Sequence, residues 1–206
     1  MCAPLDLSHP MTGPCLVQNS PADRVPSHGT WLFATGHALD LVPVDDRGRT
    51  APFRLRSLLR PQAPQAFPGF AAPVLAPIGG HVVRAHDAEP DHPAHRGLPS
   101  VGYALTQGRR VSDGWAALAG NHIVLRVGGP GLFLALCHLQ KGSVQVTVGD
   151  VVGTGDLLAR CGNSGNSTEP HLHLQVMDGP DPTAAAAIPF TVHGTLPRSG
   201  QIVAWD

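Results

Sequence analysis

Apolar residues along this chain either alternate with polar ones or gather in short unbroken runs of about four to eight positions, with Gly, Pro or Asp between the runs. That is the signature of strands rather than helices. From residue 120 onward the runs follow one another closely: Asn121 to Val127, Leu132 to Leu139, Val144 to Val148, Asp156 to Cys161, His171 to Met177 and Phe190 to His193. Upstream, Val74 to Ala85 has the same character. Val25 to Phe33 and His37 to Val42 flank Ala34-Thr35-Gly36 and predict a hairpin. The whole pattern predicts an all-β domain, mainly an antiparallel sheet or sandwich, with short helical ornaments and long loops. Residues 1–24, punctuated by Pro, Ser and Asp without a sustained period, predict an irregular lead-in, so the domain is expected over 25–206. The stretch 54–70, with Leu55 to Leu59 and three prolines, reads as a surface excursion. Residues 88–119 read as a long insertion of the kind that forms lids or variable loops.

Composition narrows the picture. With 24 Gly, 21 Pro and 14% charged residues among 206, a helical bundle is excluded. A net charge of −1 offers no basic excess for a phosphate backbone, so nucleic acid is not an expected partner. No apolar run approaches the roughly 18 residues of a membrane span, so no transmembrane segment is expected. Met1 to Pro10 has neither a basic nor an apolar leader region; as written, the chain reads as cytoplasmic, and a monomer is expected. Cys2, Cys15, Cys137 and Cys161 contain no C-x-x-C pair, which argues against a thiolate zinc site. Reduced thiols are the default, with a Cys2–Cys15 bridge as the alternative.

Twelve histidines are the compositional excess that bears on chemistry. In His171-Leu172-His173 the two imidazoles, two residues apart on a strand, project to one face and converge on a point that suits a metal. The Gly162 to Pro170 turn places them at the strand's first residues, beside solvent. His138 lies in the apolar run Leu136 to Leu139, with Cys137 expected on the opposite face as a small core residue. The remaining histidines read as surface or packing groups: His81 and His122 in strands, His86, His92 and His95 in the insertion, His9 and His193 without partner spacing. Ser164 and Ser167 raise serine chemistry, but no G-x-S-x-G elbow is present and Ser-rich turns commonly satisfy backbone groups.

The run from His138 through VTVGDVVGTGDLLARCGNSGNSTEPHLHLQV resembles the core of the lysostaphin-type (LytM-like) zinc metalloendopeptidases, which cut peptide bonds in peptidoglycan. The likeness rests on the lone His before a hydrophobic residue, the V-G-D-x-V-x-x-G turn, G-N-S-G-N-S-T and P-H-L-H. VLAPIGGHVV and AGNHIVLRV extend it to roughly residues 25 to 195. The resemblance implies Zn²⁺ as cofactor, held by an early His and Asp and by the second His of H-x-H, with the first His of H-x-H and the lone upstream His in catalysis. Residue by residue, His173 and Asp40 become metal ligands and His171 and His138 the catalytic pair.

The early His departs from the family pattern, because Gly36 stands four residues before Asp40. His37 is near, but three residues from Asp40 puts it on the opposite strand face. His28 is preferred as the metal ligand: a hairpin turning around Ala34 pairs it across from Asp40, about 5 Å away, and its S-H-G-T segment fits the family. The implied function is zinc-dependent hydrolysis of peptide bonds, in peptidoglycan cross-links, with a peptide or peptidoglycan substrate in a groove walled by residues 51–72, 88–119 and 162–170. The alternative is a catalytically impaired cell-wall-binding or regulatory module of the same fold. A peptidoglycan substrate also implies a location outside the cytoplasm.

Overall fold

The computed structural model describes residues 4–52, 60–96, 111–128 and 131–204. Leu55 to Leu59, part of the 88–119 insertion and Cys2 lie outside the described residues. In chain order the strands are β1 (Leu5–Leu7), β2 (Cys15–Gln18), β3 (Leu39–Pro43), β4 (Pro73–Leu75), β5 (Gly80–His86), β6 (Asn121–Val127), β7 (Leu132–Leu139), β8 (Val151–Val152), β9 (Leu157–Arg160), β10 (Leu172–Met177), β11 (Phe190–Val192) and β12 (Ile202–Val203). Eight of them form one sheet in the order β12-β2-β3-β10-β7-β6-β5-β8, and every pairing within it is antiparallel. Two small ribbons, parallel β1-β11 and antiparallel β4-β9, complete the mainly antiparallel all-β fold. A five-residue helix, α1 (Trp115–Ala119), is among the few helical ornaments.

The strand period sorts the sheet into two faces. Leu172, Leu174 and Val176 of β10 join Leu39 and Leu41 of β3, Leu134 and Leu136 of β7 and Ile123 and Leu125 of β6 in the main core. Leu7, Val74, Leu158, Phe190 and Val192 of the two ribbons close over that face. Each such side chain removed from water contributes about 1.5–3 kcal/mol, which makes this face the structural seal. The intervening positions face the other way. There a smaller cluster of Trp115, Ala119, Ala34, Val124, Ala135, Cys137 and Met177 surrounds a row of polar residues.

Residues 1–24 are not irregular throughout. β2 is inserted between β12 and β3, and β1 pairs with β11. These strands are only three and four residues long, too short for alternation to stand out between prolines. The hairpin predicted over 25–44 is also absent. Residues 25–31 form turns, and Leu32–His37 is a 3-10 segment with left-handed backbone at Phe33 (φ 57°) and Ala34 (φ 59°). Such steps end an extended run, so β3 finds its ladder partners in β2 and β10 instead. Val144 to Val148 is no strand either, because carboxylates capture its donors: Val144 N–H donates to Asp87 and Thr147 N–H to Asp150.

Candidate metal centre and active site

One row of side chains crosses the sheet on its second face. Cross-strand register sets Gln18 opposite Asp40, Asp40 opposite His173, His173 opposite Cys137, and Cys137 opposite His122. Paired residues in an antiparallel ladder share a face, so Asp40 and His173 are brought together by strand pairing alone. His173 Nδ1 lies 3.0 Å from Asp40 Oδ1, and its Nε2 lies 3.0 Å from Gln175 Oε1. Cys137 is on this same face, not opposite His138 as the strand period predicts. A β-bulge explains the difference: His122 pairs with Cys137 and Asn121 with Leu139, leaving His138 as an extra residue with φ 64°. Two successive residues of β7 therefore line the cleft.

His28 reaches Asp40 by another route. The Ser27 hydroxyl donates to the Ala38 carbonyl (2.7 Å) and so accepts from His28 Nδ1 (3.0 Å). That leaves the Nε2 lone pair facing Asp40 Oδ2 at 3.1 Å, while Asn19 Nδ2–H donates to the same oxygen at 2.7 Å. His37, the other sequence candidate, packs its ring on Trp31 (5.8 Å between centroids). Ligating atoms of His28, Asp40 and His173 all lie within 4.8 Å of one another. The donor set is chemically coherent. A bare imidazole nitrogen against a carboxylate oxygen places two acceptors together, an arrangement that a divalent cation satisfies, and N/O donors of this kind suit zinc.

The other two sequence-predicted histidines stand beside this cluster. His138 Nδ1–H donates to the Ser164 carbonyl (2.9 Å) and His171 Nδ1–H to the Glu169 carbonyl (2.8 Å). Carbonyls only accept, so each ring keeps its Nε2 unprotonated when neutral. His171 Nε2 is 3.8 Å from Asp40 Oδ1, and the His138 ring centroid is 4.7 Å from that of His171 and 5.8 Å from that of His173. Burial, reinforced by the neighbouring His171 and His173 rings, holds His138 well below the ordinary imidazole range. Burial by itself raises the Asp40 carboxyl, but the surrounding imidazoles of His28, His171 and His173 hold it well below the usual carboxylate range. A neutral base and an anionic carboxylate thus coexist in one site at neutral pH.

The cluster floors a cleft of about 350 Å³. Leu32 and Phe33 wall one side, Trp115 and Leu118 of the α1 region another, and Asn166, Thr168 and Glu169 a third. The predicted walls 88–119 and 162–170 thus contribute, whereas the described part of 51–72 does not line the cleft. Gly69 instead packs directly against the Pro170 backbone. The 162–170 turn is clamped by the contact of Gly165 (φ 70°) with Gly120, where a Cβ on Gly165 would come within 2.4 Å of the Gly120 nitrogen. Sequence reasoning missed Asn19, Ser27 and Gln175. Of these, Gln175 was open to discovery, since it continues the period-two face of His171 and His173. Ser27 and Asn19 act from turns and carry no such signal.

His122 and His81 match their expected packing and surface roles. His122 is buried, its Nδ1–H donates to the Gly120 carbonyl (2.7 Å), and it packs edge-on to Trp115; burial lowers it to about 4. His81 is exposed on β5. Cys15, Cys137 and Cys161 are free and buried. No helix among the described residues is long and apolar enough to cross a membrane.

Residues 91–185 match the family model described as Peptidase family M23. Lysostaphin of Staphylococcus simulans is 31% identical over 103 residues, covering 48% of this chain and 20% of that protein. Glycyl-glycine endopeptidase ALE-1 of Staphylococcus capitis is 34% identical over 90 residues, 42% of this chain and 24% of that one. The match therefore spans about a fifth to a quarter of these relatives' length. Among solved structures, the catalytic domain of lysostaphin from Staphylococcus simulans is 19% identical with a TM-score of 0.42, covering 74% of this chain and 77% of that one. The matched segment contains His138, His171 and His173 and stops short of His28 and Asp40. By this likeness residues 91–185 are similar to the lysostaphin-type, LytM-like peptidases.

Proposed function

We propose that this chain is a zinc-dependent endopeptidase that hydrolyses peptide bonds in peptidoglycan cross-links, with His28, Asp40 and His173 holding Zn²⁺ and His138 and His171 as the catalytic pair. The carrying observation is the convergence of two imidazole nitrogens and one carboxylate at the floor of an open cleft. Zinc bound by three protein donors supplies a Lewis acid with a position left for water or a carbonyl oxygen. The remaining chemistry belongs to the chain. His138 and His171, each anchored through Nδ1 to a carbonyl, present Nε2 to take a proton from the attacking water and return it to the departing amine. In its protonated form either ring also stabilises the developing oxyanion.

The substrate is an extended peptide lying between Leu32 and Phe33 on one side and Trp115 and Leu118 on the other. A short glycine- or alanine-containing cross-link fits the kinship with a glycyl-glycine endopeptidase. Elemental analysis combined with muropeptide release tests the reading. About one zinc per chain is expected in the wild type, with both metal and product release lost in His173→Ala. Retention of stoichiometric zinc and full activity by that variant overturns the ligand assignment.

A further inference from the structure

We infer that Gln175 is a positioning residue that aims Nδ1 of His173 at the metal site, and that it does so because the 3-10 segment that walls the cleft locks its amide in one orientation. The inference rests on the proposed metal site and adds a residue to it.

Gln175 is fully buried on β10, two residues beyond His173 and therefore on the same face. Its Nε2 donates to the Phe33 carbonyl at 2.9 Å and approaches Met177 Sδ at 3.0 Å. A carbonyl cannot donate, so turning the amide over would press Oε1 against the Phe33 oxygen and leave two buried acceptors facing each other. The orientation is thus forced, and Oε1 must face His173 Nε2, 3.0 Å away. An amide oxygen only accepts. A neutral His173 that holds the metal through Nδ1, the nitrogen on the Asp40 side, therefore keeps its proton on Nε2, where the Gln175 oxygen accepts it.

The Phe33 carbonyl is available because Phe33 and Ala34 both adopt left-handed backbone. Non-glycine residues rarely adopt that conformation, and here the turn it creates aims an acceptor at a buried side chain. The result is a relay of three hydrogen-bonding groups from a loop carbonyl through an amide to the ring. Ligating histidines characteristically have their second nitrogen held in this way, and loss of such a partner lowers metal affinity about 10–100-fold.

The test uses the full chain and zinc, with two readouts besides activity. Nitrogen NMR of the zinc-loaded wild type, labelled at histidine, is expected to find His173 with a protonated Nε2 and no proton on Nδ1. Gln175→Met, close in volume but without an acceptor, is expected to mix the two tautomers and to weaken zinc binding about 10–100-fold in competition with a chromogenic chelator. A wild-type proton on Nδ1 overturns the inference even if Gln175→Met fails to fold. So does a Gln175→Met protein with unchanged tautomer and affinity within twofold. Failure of the wild type to bind zinc at all, with Gln175 still bonded to Phe33 and His173 in a crystal structure, counts against the metal site and leaves the positioning by Gln175 intact.

Discussion

The two halves of the site are built by different means. His173 and His138 stand on central strands paired with their neighbours, and His171 immediately precedes one of those strands. His28 stands on a turn that reaches Asp40 only because a serine hydroxyl ties the ring to the Ala38 carbonyl. Strand-borne groups inherit their direction from sheet register, which the main core enforces at every Leu and Val. Turn-borne groups depend on one or two hydrogen bonds each. A donor set drawn from both kinds of support should fail in two distinguishable ways.

The largest effect is expected where the halves meet. Asp40→Asn keeps the shape but removes the charge that faces both His28 and His173; it should abolish zinc retention and cut peptide hydrolysis by about 1000-fold or more. Dialysis against a chelator followed by elemental analysis and product assay checks this. Next come the strand-side bases. His138→Ala and His171→Ala should each lower kcat about 100- to 10,000-fold while zinc stays bound, which separates them from ligand loss. If either variant loses its metal, the division between holding and reacting groups is wrong.

A paired comparison of serines sharpens the contrast. Ser27→Ala removes the acceptor for His28 Nδ1–H and should weaken zinc binding about 10-fold or more. Ser167→Ala should change affinity less than about threefold, because the Glu169 carbonyl still holds His171 Nδ1. Equal effects in chelator competition would erase the distinction between turn-held and strand-held rings. The smallest effect concerns acidity. His122, lowered to about 4 by burial, is kept neutral by the fold, whereas the unfolded chain protonates below about 6.5. The unfolded state then binds more protons, so stability is full above about 6.5 and declines as pH falls toward 4, by on the order of 3 kcal/mol for this ring. Denaturant melts across that window should be flatter in His122→Leu.

The strands β6 and β7 begin and end where the apolar pattern places them, since both are buried along nearly their whole length and packing rewards every position. The meeting of His28 with Asp40 was also legible, although through a hairpin that does not form. Pairing the right residues by the wrong geometry was possible because both arrangements span the same short sequence distance. What escaped was whatever depends on a single interaction. A four-residue strand such as β2 gains its place from partners far away in sequence, and the bulge at His138 arises from a one-residue mismatch between β6 and β7. The carboxylates of Asp87 and Asp150 likewise divert a Val-rich run from its ladder without leaving any trace in its periodicity.

The irregular step at His138 also governs how β7 can drift. A pleated ribbon normally delivers one side chain in two to a given side, yet here adjacent positions 137 and 138 both open onto the cleft. Extra residues accommodated in the connection between β6 and β7 leave that doubled delivery untouched, whereas removal of one residue between Cys137 and Leu139 would restore a uniform pleat and erase it. Length variation should therefore be tolerated at the distal end of this hairpin and forbidden at its mouth.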